Sequence, residues 1–245
     1  MEEISVLKQI LESNGIPSFD EDILSKLVKF YHLVVEKNKV MNLTAITEFE
    51  DFAVKHYADS LSVLKILKLS SGSLVDVGTG AGFPGIPLAI CCPGVSFTLL
   101  DSLRKRVDFL SEAVAELGLT NVTLMHTRAE DAGNDVKLRD SFDVAVSRAV
   151  AGLSTLVEYV LPFVKPSGTF VAYKGPSAAS EIATSTNALK LFSARVDHFH
   201  SFELSPDPTD EALEKSVRTL LFITKDKPTP KGYPRSAAKI SKNPL

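Results

Sequence analysis

From Ser71 onward, short apolar runs that read as strands alternate with amphipathic stretches that read as helices, and this alternation restricts the fold more than any other feature. The strand candidates are 73–77 (SLVDV), 95–101 (VSFTLLD), 121–127 (NVTLMHT), 142–147 (FDVAVS) and 169–174 (TFVAYK). Helical segments at 84–91, 103–118, 153–164 and 177–192 fall between and after them. That spacing predicts a parallel sheet covered by helices on both faces. Two further strands, 197–204 and 216–225, have no helix between them, only the turn-rich 205–212, and predict an antiparallel hairpin at one edge. The expected fold is α/β and Rossmann-like, with a mostly parallel seven-stranded sheet.

The chain before Ser71 has helical spacing instead. Segments 4–11, 22–38 and 51–67 read as three helices, the second with an apolar stripe of Leu24, Leu27, Val28, Tyr31, Val34 and Val35. Asn14-Gly15 and Pro17 end the first, Asp20 can cap the second, and Thr47 with Glu50 suggests a capping box for the third. After Ile223 the chain is rich in Lys, Pro and Gly, which predicts an extended, solvated tail. The expected division is a helical extension over 1–70, the α/β domain over 71–226 and a basic tail over 227–245.

Composition excludes several classes. With 44% hydrophobic and 23% charged residues the chain is neither disordered nor fibrous. No apolar run is long enough to cross a membrane, and acids stand at the N-terminus where a secretory signal would carry lysines, so a cytoplasmic location is expected. Cys91 and Cys92 are adjacent, a spacing that suits neither a disulfide framework nor a metal site, and they read as small buried hydrophobes. A net charge of −3 would argue against a nucleic-acid partner if it were evenly spread. It is not: residues 1–60 hold 11 acids against six lysines, and residues 225–245 hold six bases against one acid. The bases therefore form local patches.

The densest local signal is Asp76-Val77-Gly78-Thr79-Gly80-Ala81-Gly82-Phe83-Pro84-Gly85, at the exit of the first central strand. Glycines at alternate positions let a backbone turn tightly and approach a ligand closely. From Gly80 the segment fits G-x-G-x-x-G, the dinucleotide fingerprint. From Asp76 it fits D-x-G-x-G-x-G, the loop that class I methyltransferases wrap around S-adenosylmethionine. A carboxylate at the strand end can pair with the ammonium of a methionine-type ligand but repels a pyrophosphate, which favours the methyl donor. Asp101, with Ser102 after it, ends the second strand, where an acid can accept from both ribose hydroxyls of an adenosine or cap the following helix. Thr127–Asp131, containing Ala129 and Glu130, follows the third strand beside the expected adenine. Arg148 ends the fourth, at the sheet edge where open α/β folds bind ligands.

Together these residues resemble the bacterial small-subunit ribosomal RNA methyltransferase G family, also called glucose-inhibited division protein B, over essentially the whole chain. The resemblance is carried by Met41-Asn42-Leu43-Thr44-Ala45-Ile46, His56-Tyr57-Ala58-Asp59-Ser60-Leu61, the glycine loop extended through Ile86-Pro87-Leu88-Ala89, Asp101-Ser102, Lys105-Arg106, Phe109-Leu110, Arg128-Ala129-Glu130, Ser147-Arg148-Ala149-Val150-Ala151, Tyr173-Lys174-Gly175 and Tyr233-Pro234-Arg235. It implies methyl transfer from S-adenosylmethionine to nitrogen-7 of a guanine in 16S ribosomal RNA, free or within the small subunit. It also implies donor contacts from Gly78, Phe83, Ala129, Glu130 and Arg148. The chain departs from the family pattern at Lys37-Asn38, where Trp-Asn is usual, and at Ala237-Ala238, where a glycine normally follows the Pro-Arg pair.

The full expected donor set is Asp76, Gly78, Gly80, Gly82, Phe83, Asp101, Ser102, Ala129, Glu130 and Arg148. Arg148 can reach either the donor carboxylate or the guanine's oxygen-6 and phosphate, and the donor contact is favoured. Asn42, His56, Lys174 and Arg235 are the candidates for RNA contacts. Nitrogen-7 carries a lone pair and no proton, so no general base and no metal are expected, and the rate should come from positioning. The rival readings are an NAD-dependent oxidoreductase and an RNA-binding module without catalysis. The absence of heptads or repeats makes a monomer the expected state.

Overall fold

The structure is a computed structural model that describes residues 2–206 and 215–245. Seven strands, β1 (Ser73–Val77), β2 (Ser96–Asp101), β3 (Val122–His126), β4 (Phe142–Arg148), β5 (Val164–Lys174), β6 (Ala194–Leu204) and β7 (Ser216–Lys225), form one sheet. Their order is β3-β2-β1-β4-β5-β7-β6. The first five are parallel, while β7 is antiparallel to both β5 and β6, so the expected edge hairpin is present. Most of the turn-rich 205–212 lies outside the described residues.

Three helical segments precede the sheet: α1 (Glu2–Ser13), α2 (Glu21–Met41) and a continuous third helix, α3, that changes pitch. It begins as α-helix over Phe49–Phe52, widens to a π-helix over Ala53–Ala58, returns to α over Asp59–Leu61 and tightens to 3-10 over Ser62–Lys65. After them come α4 (Gly85–Cys91), α5 (Arg104–Leu117), α6 (Ala129–Ala132), α7 (Leu153–Val160), α8 (Ala178–Thr184), α9 (Thr186–Leu191) and α10 (Ala237–Lys242). The short α6 and α10 have no clear signature in the sequence.

Alternation along the central strands assigns two cores. Leu74, Val146 and Val171 face one side and pack with Leu27, Phe30, Phe52, Tyr57, Phe83 and Leu110, so α2 and α3 share a core with the sheet. Val75, Val77, Ala145 and Ala172 face the other and pack with Leu156, Val160 and Phe192. Asp20 caps α2 as expected, its carboxylate accepting from Ile23 N at 2.9 Å.

Two expectations fail. The Thr47–Glu50 capping box does not form: α3 starts after Glu48 without a side-chain cap. A tertiary contact and a local turn fix its approach instead, with Tyr31 donating to Thr47 O at 2.8 Å and Ile46 N donating to Thr44 Oγ1, two residues back, at 3.0 Å. Nor is the C-terminal segment solvated throughout. Lys225 is fully buried and donates to Asp140, to the carbonyls of Leu161 and Val164 (both 2.7 Å) and to Thr229 Oγ1 at 2.6 Å. Arg139 donates to Tyr233 O, Thr229 O and Pro230 O, and Ile240 is fully buried. Buried charge and carbonyl pairing tie the segment down where composition alone suggested a free tail.

Candidate functional site

Every parallel strand delivers its C-terminal end to one edge of the sheet, and the candidate site is built there. The glycine loop follows β1. Gly78 N and Thr79 N donate to Leu100 O at 2.9 and 3.1 Å, and Gly80 N donates to Asp101 Oδ2 at 2.9 Å. Asp101 thus ties the loop to β2, while its Oδ1 accepts from Leu103 N at 2.8 Å, one residue before α5 begins. Gly78 sits at φ +76°, and a Cβ there would stand 2.7 Å from Val150 Cγ2. The backbone can follow this path only without a side chain.

Three cavities run along this edge, and Ala149 lines all of them. The first, about 400 Å³, is lined by Gly78, Asp101, Ser102, Ala129 and Glu130 of the expected donor set, with Leu103, Val150 and Tyr159 adding apolar wall. The second is smaller, about 190 Å³, and lies against Gly78, Gly80, Phe83, His56 and Arg148. The third, about 420 Å³, is bounded by Lys55, His56, Asp59, Arg148, Lys174 and Arg218. Four of those six side chains are lysines or arginines.

Arg148 separates the second cavity from the third. Its Nη1 donates to Asp59 Oδ2 at 2.8 Å and to Lys55 O at 3.2 Å, and its Nη2 donates to His56 Nδ1 at 3.1 Å. Its guanidinium carbon lies 5.3 Å from the centre of the Phe83 ring, on which His56 also stacks at 4.5 Å. Burial and the neighbouring Arg148 push the His56 pKa down to about 3. The neutral ring accepts at Nδ1, so its proton sits on Nε2 and points to Thr44 Oγ1 at 2.9 Å. Both nitrogens of His56 are engaged within the protein, and the residue lines the second and third cavities.

Asp76 is fully buried beneath the loop. Its Oδ2 accepts from Gly85 N at 2.9 Å, whereas Oδ1 has no hydrogen-bond partner among the described residues, and burial pushes its pKa up to about 7. It lines none of the three cavities. The direct ion pair expected with a ligand ammonium is therefore not what this geometry provides; Asp76 instead fixes the start of α4. Gly82 also points inward, where a Cβ would meet Ile86 and Leu110 at 2.8 and 2.9 Å.

The expected RNA contacts are dispersed. Asn42 is exposed in the left-handed conformation at the end of α2 and lines none of these cavities. Nearby Asn38 holds the following loop, its Oδ1 accepting from Leu43 N and Thr44 N at 2.6 and 2.9 Å, while Lys37, standing where tryptophan is usual, pairs with Glu112 at 2.6 Å. Lys174 lines the third cavity but is held by Glu181 Oε2 at 2.7 Å and Ala151 O at 2.8 Å. Arg235 lies outside the cavities and grips the fully buried Glu158 through Nε and Nη2 at 2.8 and 2.6 Å. Lys227, Lys231, Lys239 and Lys242 of the same segment stay exposed.

Sequence reasoning missed Asp59 and Arg218 as site residues. Asp59 follows His56 by about one helical turn within a segment that carries the family resemblance, which was the available signal. Arg218 had none: it reaches the edge because β7 runs antiparallel and sets Thr219 opposite Lys174.

Comparison with known proteins fits this architecture. A family model described as rRNA small subunit methyltransferase G matches residues 23–208. The ribosomal RNA small subunit methyltransferase G of Alkaliphilus oremlandii is 44% identical over 246 residues, covering 100% of both chains. That of Clostridium beijerinckii is 46% identical over 222 residues, covering 90% of each. Among solved structures, a SAM-dependent O-methyltransferase from Thermotoga maritima superposes with a TM-score of 0.53 at 14% identity, over 81% of this chain and 73% of that one. M. jannaschii TYW2 in complex with AdoMet gives 0.51 at 14% identity, over 67% and 74%. Those two likenesses concern the class I methyltransferase fold alone. The sequence relatives go further, and on their identity and coverage the chain belongs to the rRNA small subunit methyltransferase G family.

Proposed function

We propose that this protein transfers a methyl group from S-adenosylmethionine to nitrogen-7 of a guanine in 16S ribosomal RNA. The observation that carries the reading is the common border of the three cavities at Ala149, which sets an acid-lined nucleoside-sized space beside a basic one. Asp101 and Ser102 would hold the ribose and Leu103, Val150 and Ala129 the adenine. Arg148 has two N–H groups left after Asp59, Lys55 and His56 take the other three, and these suit the donor's carboxylate.

Bound there, the donor supplies an electrophilic methyl group on a sulfonium sulfur. The attacking nitrogen has a lone pair and loses no proton, so the side chains have to position and to shield. Phe83 and the neutral His56 form an apolar wall beside the small cavity, which keeps water away from the reacting atoms. The arrangement requires no metal.

Unmodified small-subunit RNA from a strain lacking this enzyme, incubated with protein and tritiated donor, should take up label at one guanine, and strand cleavage specific for 7-methylguanine should map it. Label in protein, or RNA binding without label, would remove the proposal.

A further inference from the structure

The third cavity contains a buried acid with a vacant acceptor. Asp59 is 4% exposed, its Oδ2 is committed to Arg148, and its Oδ1 has no hydrogen-bond partner among the described residues. Arg218 faces that oxygen, its Nε 3.5 Å away, a charge contact too long for a hydrogen bond. Arg218 itself is 30% exposed by side chain and makes one hydrogen bond among the described residues, from Nη1 to Val217 O. Asp59, with its unpaired oxygen, and Arg218, with open donors, therefore both line a cavity of about 420 Å³.

We infer that this cavity receives the acceptor base and that the Asp59–Arg218 pair reads it as guanine; the inference rests on the methyl-transfer reading above. A guanine methylated on nitrogen-7 must keep that edge free, so recognition falls to the opposite edge, which presents oxygen-6 as acceptor and N1–H and the 2-amino group as donors. The vacant Oδ1 accepts from N1–H and the 2-amino group in one forked contact, and the guanidinium beside it donates to oxygen-6. Adenine presents an unprotonated N1 to the carboxylate and an amino group to the guanidinium, so both contacts become repulsive or empty. The hairpin strand thereby contributes to base selection, and Arg148, sharing Asp59, couples the base pocket to the donor site.

The test compares small-subunit RNA carrying guanosine or inosine, which lacks the 2-amino group, at the methylated position. Wild-type protein should lose roughly tenfold in kcat/KM on inosine, the usual effect of removing a hydrogen bond to a charged group. In Asp59→Asn the amide oxygen stays with Arg148, which only donates, so the amide nitrogen turns toward the pocket and the inosine penalty should vanish. Arg218→Gln should bind donor within about twofold of wild type by calorimetry while losing roughly tenfold in kcat/KM on both RNAs. A full inosine penalty in Asp59→Asn, or wild-type kcat/KM in Arg218→Gln, overturns the assignment. Should Asp59→Asn also lose the donor, Arg218→Gln alone decides. Failure of the wild-type protein to methylate guanosine RNA overturns the underlying activity and this inference with it.

Discussion

Asp59 holds Arg148 through a 2.8 Å contact between side chains only 6% and 15% exposed, so the arginine that ends β4 is anchored by the helix packed beneath it. A pair this buried is costly to break from one side, because the remaining charge keeps its desolvation penalty without its partner. Arg148→Ala should destabilise the protein by about 3 kcal/mol in urea unfolding. It should also abolish measurable donor binding. Arg148→Lys keeps the charge but cannot serve Asp59, Lys55 O and His56 at once, and should recover most of the stability with little of the affinity. Equal recovery of both would show that the fork geometry is immaterial.

Asp76 and His56 give stability opposite pH dependences. The folded pKa of Asp76 is raised from 3.8 to about 7 by burial, so the folded state binds the extra proton and this contribution falls as pH rises from about 4 to 7. The folded pKa of His56 is lowered from 6.5 to about 3, first by burial and then by Arg148, so its contribution is complete above 6.5 and lost as pH falls toward 3. Each slope is about 1.4 kcal/mol per pH unit, and between pH 4 and 6.5 they oppose. Urea midpoints of wild-type protein should change little there on account of this pair. Asp76→Asn should leave the acid-side loss of His56 uncompensated, and His56→Gln should leave stability falling with rising pH. Parallel profiles for the two variants would sink this assignment.

The elements were legible in sequence because both hydrophobic periods were clean: seven strands, the glycine loop and Asp101 all stand where period and turn chemistry put them. What failed to show was anything decided by a distant partner. Lys225 and Arg235 read as part of a free basic patch because Asp140 and Glu158, which neutralise them, lie 85 and 77 residues away. Arg218 entered the site through antiparallel register, and Asp76 left it because the loop folded over the carboxylate. Charge says nothing of its partner until topology supplies one.

Gly78 and Gly82 should fail differently on substitution by alanine. A Cβ on Gly78 meets Val150 on the cavity wall, so Gly78→Ala should lose donor binding by calorimetry while remaining folded. A Cβ on Gly82 enters the core against Ile86, Leu110 and Phe30, so Gly82→Ala should cost about 1–3 kcal/mol in unfolding experiments. A Gly82→Ala protein as stable as wild type but unable to bind donor would mean that the loop is differently seated.

Arg235 was expected to contact RNA, yet its fork closes on Glu158, whose side chain is fully buried in α7. Arg235→Ala would strand that carboxylate and should destabilise the protein by about 3 kcal/mol. Any loss of RNA methylation should then follow unfolding, deepening with temperature and disappearing well below the melting point. The double variant Glu158→Gln/Arg235→Gln removes both charges and should regain much of the stability, and methylation with it. Thermal melts beside assays at two temperatures separate the cases: a double variant that is stable yet inactive on RNA would return Arg235 to the substrate contacts.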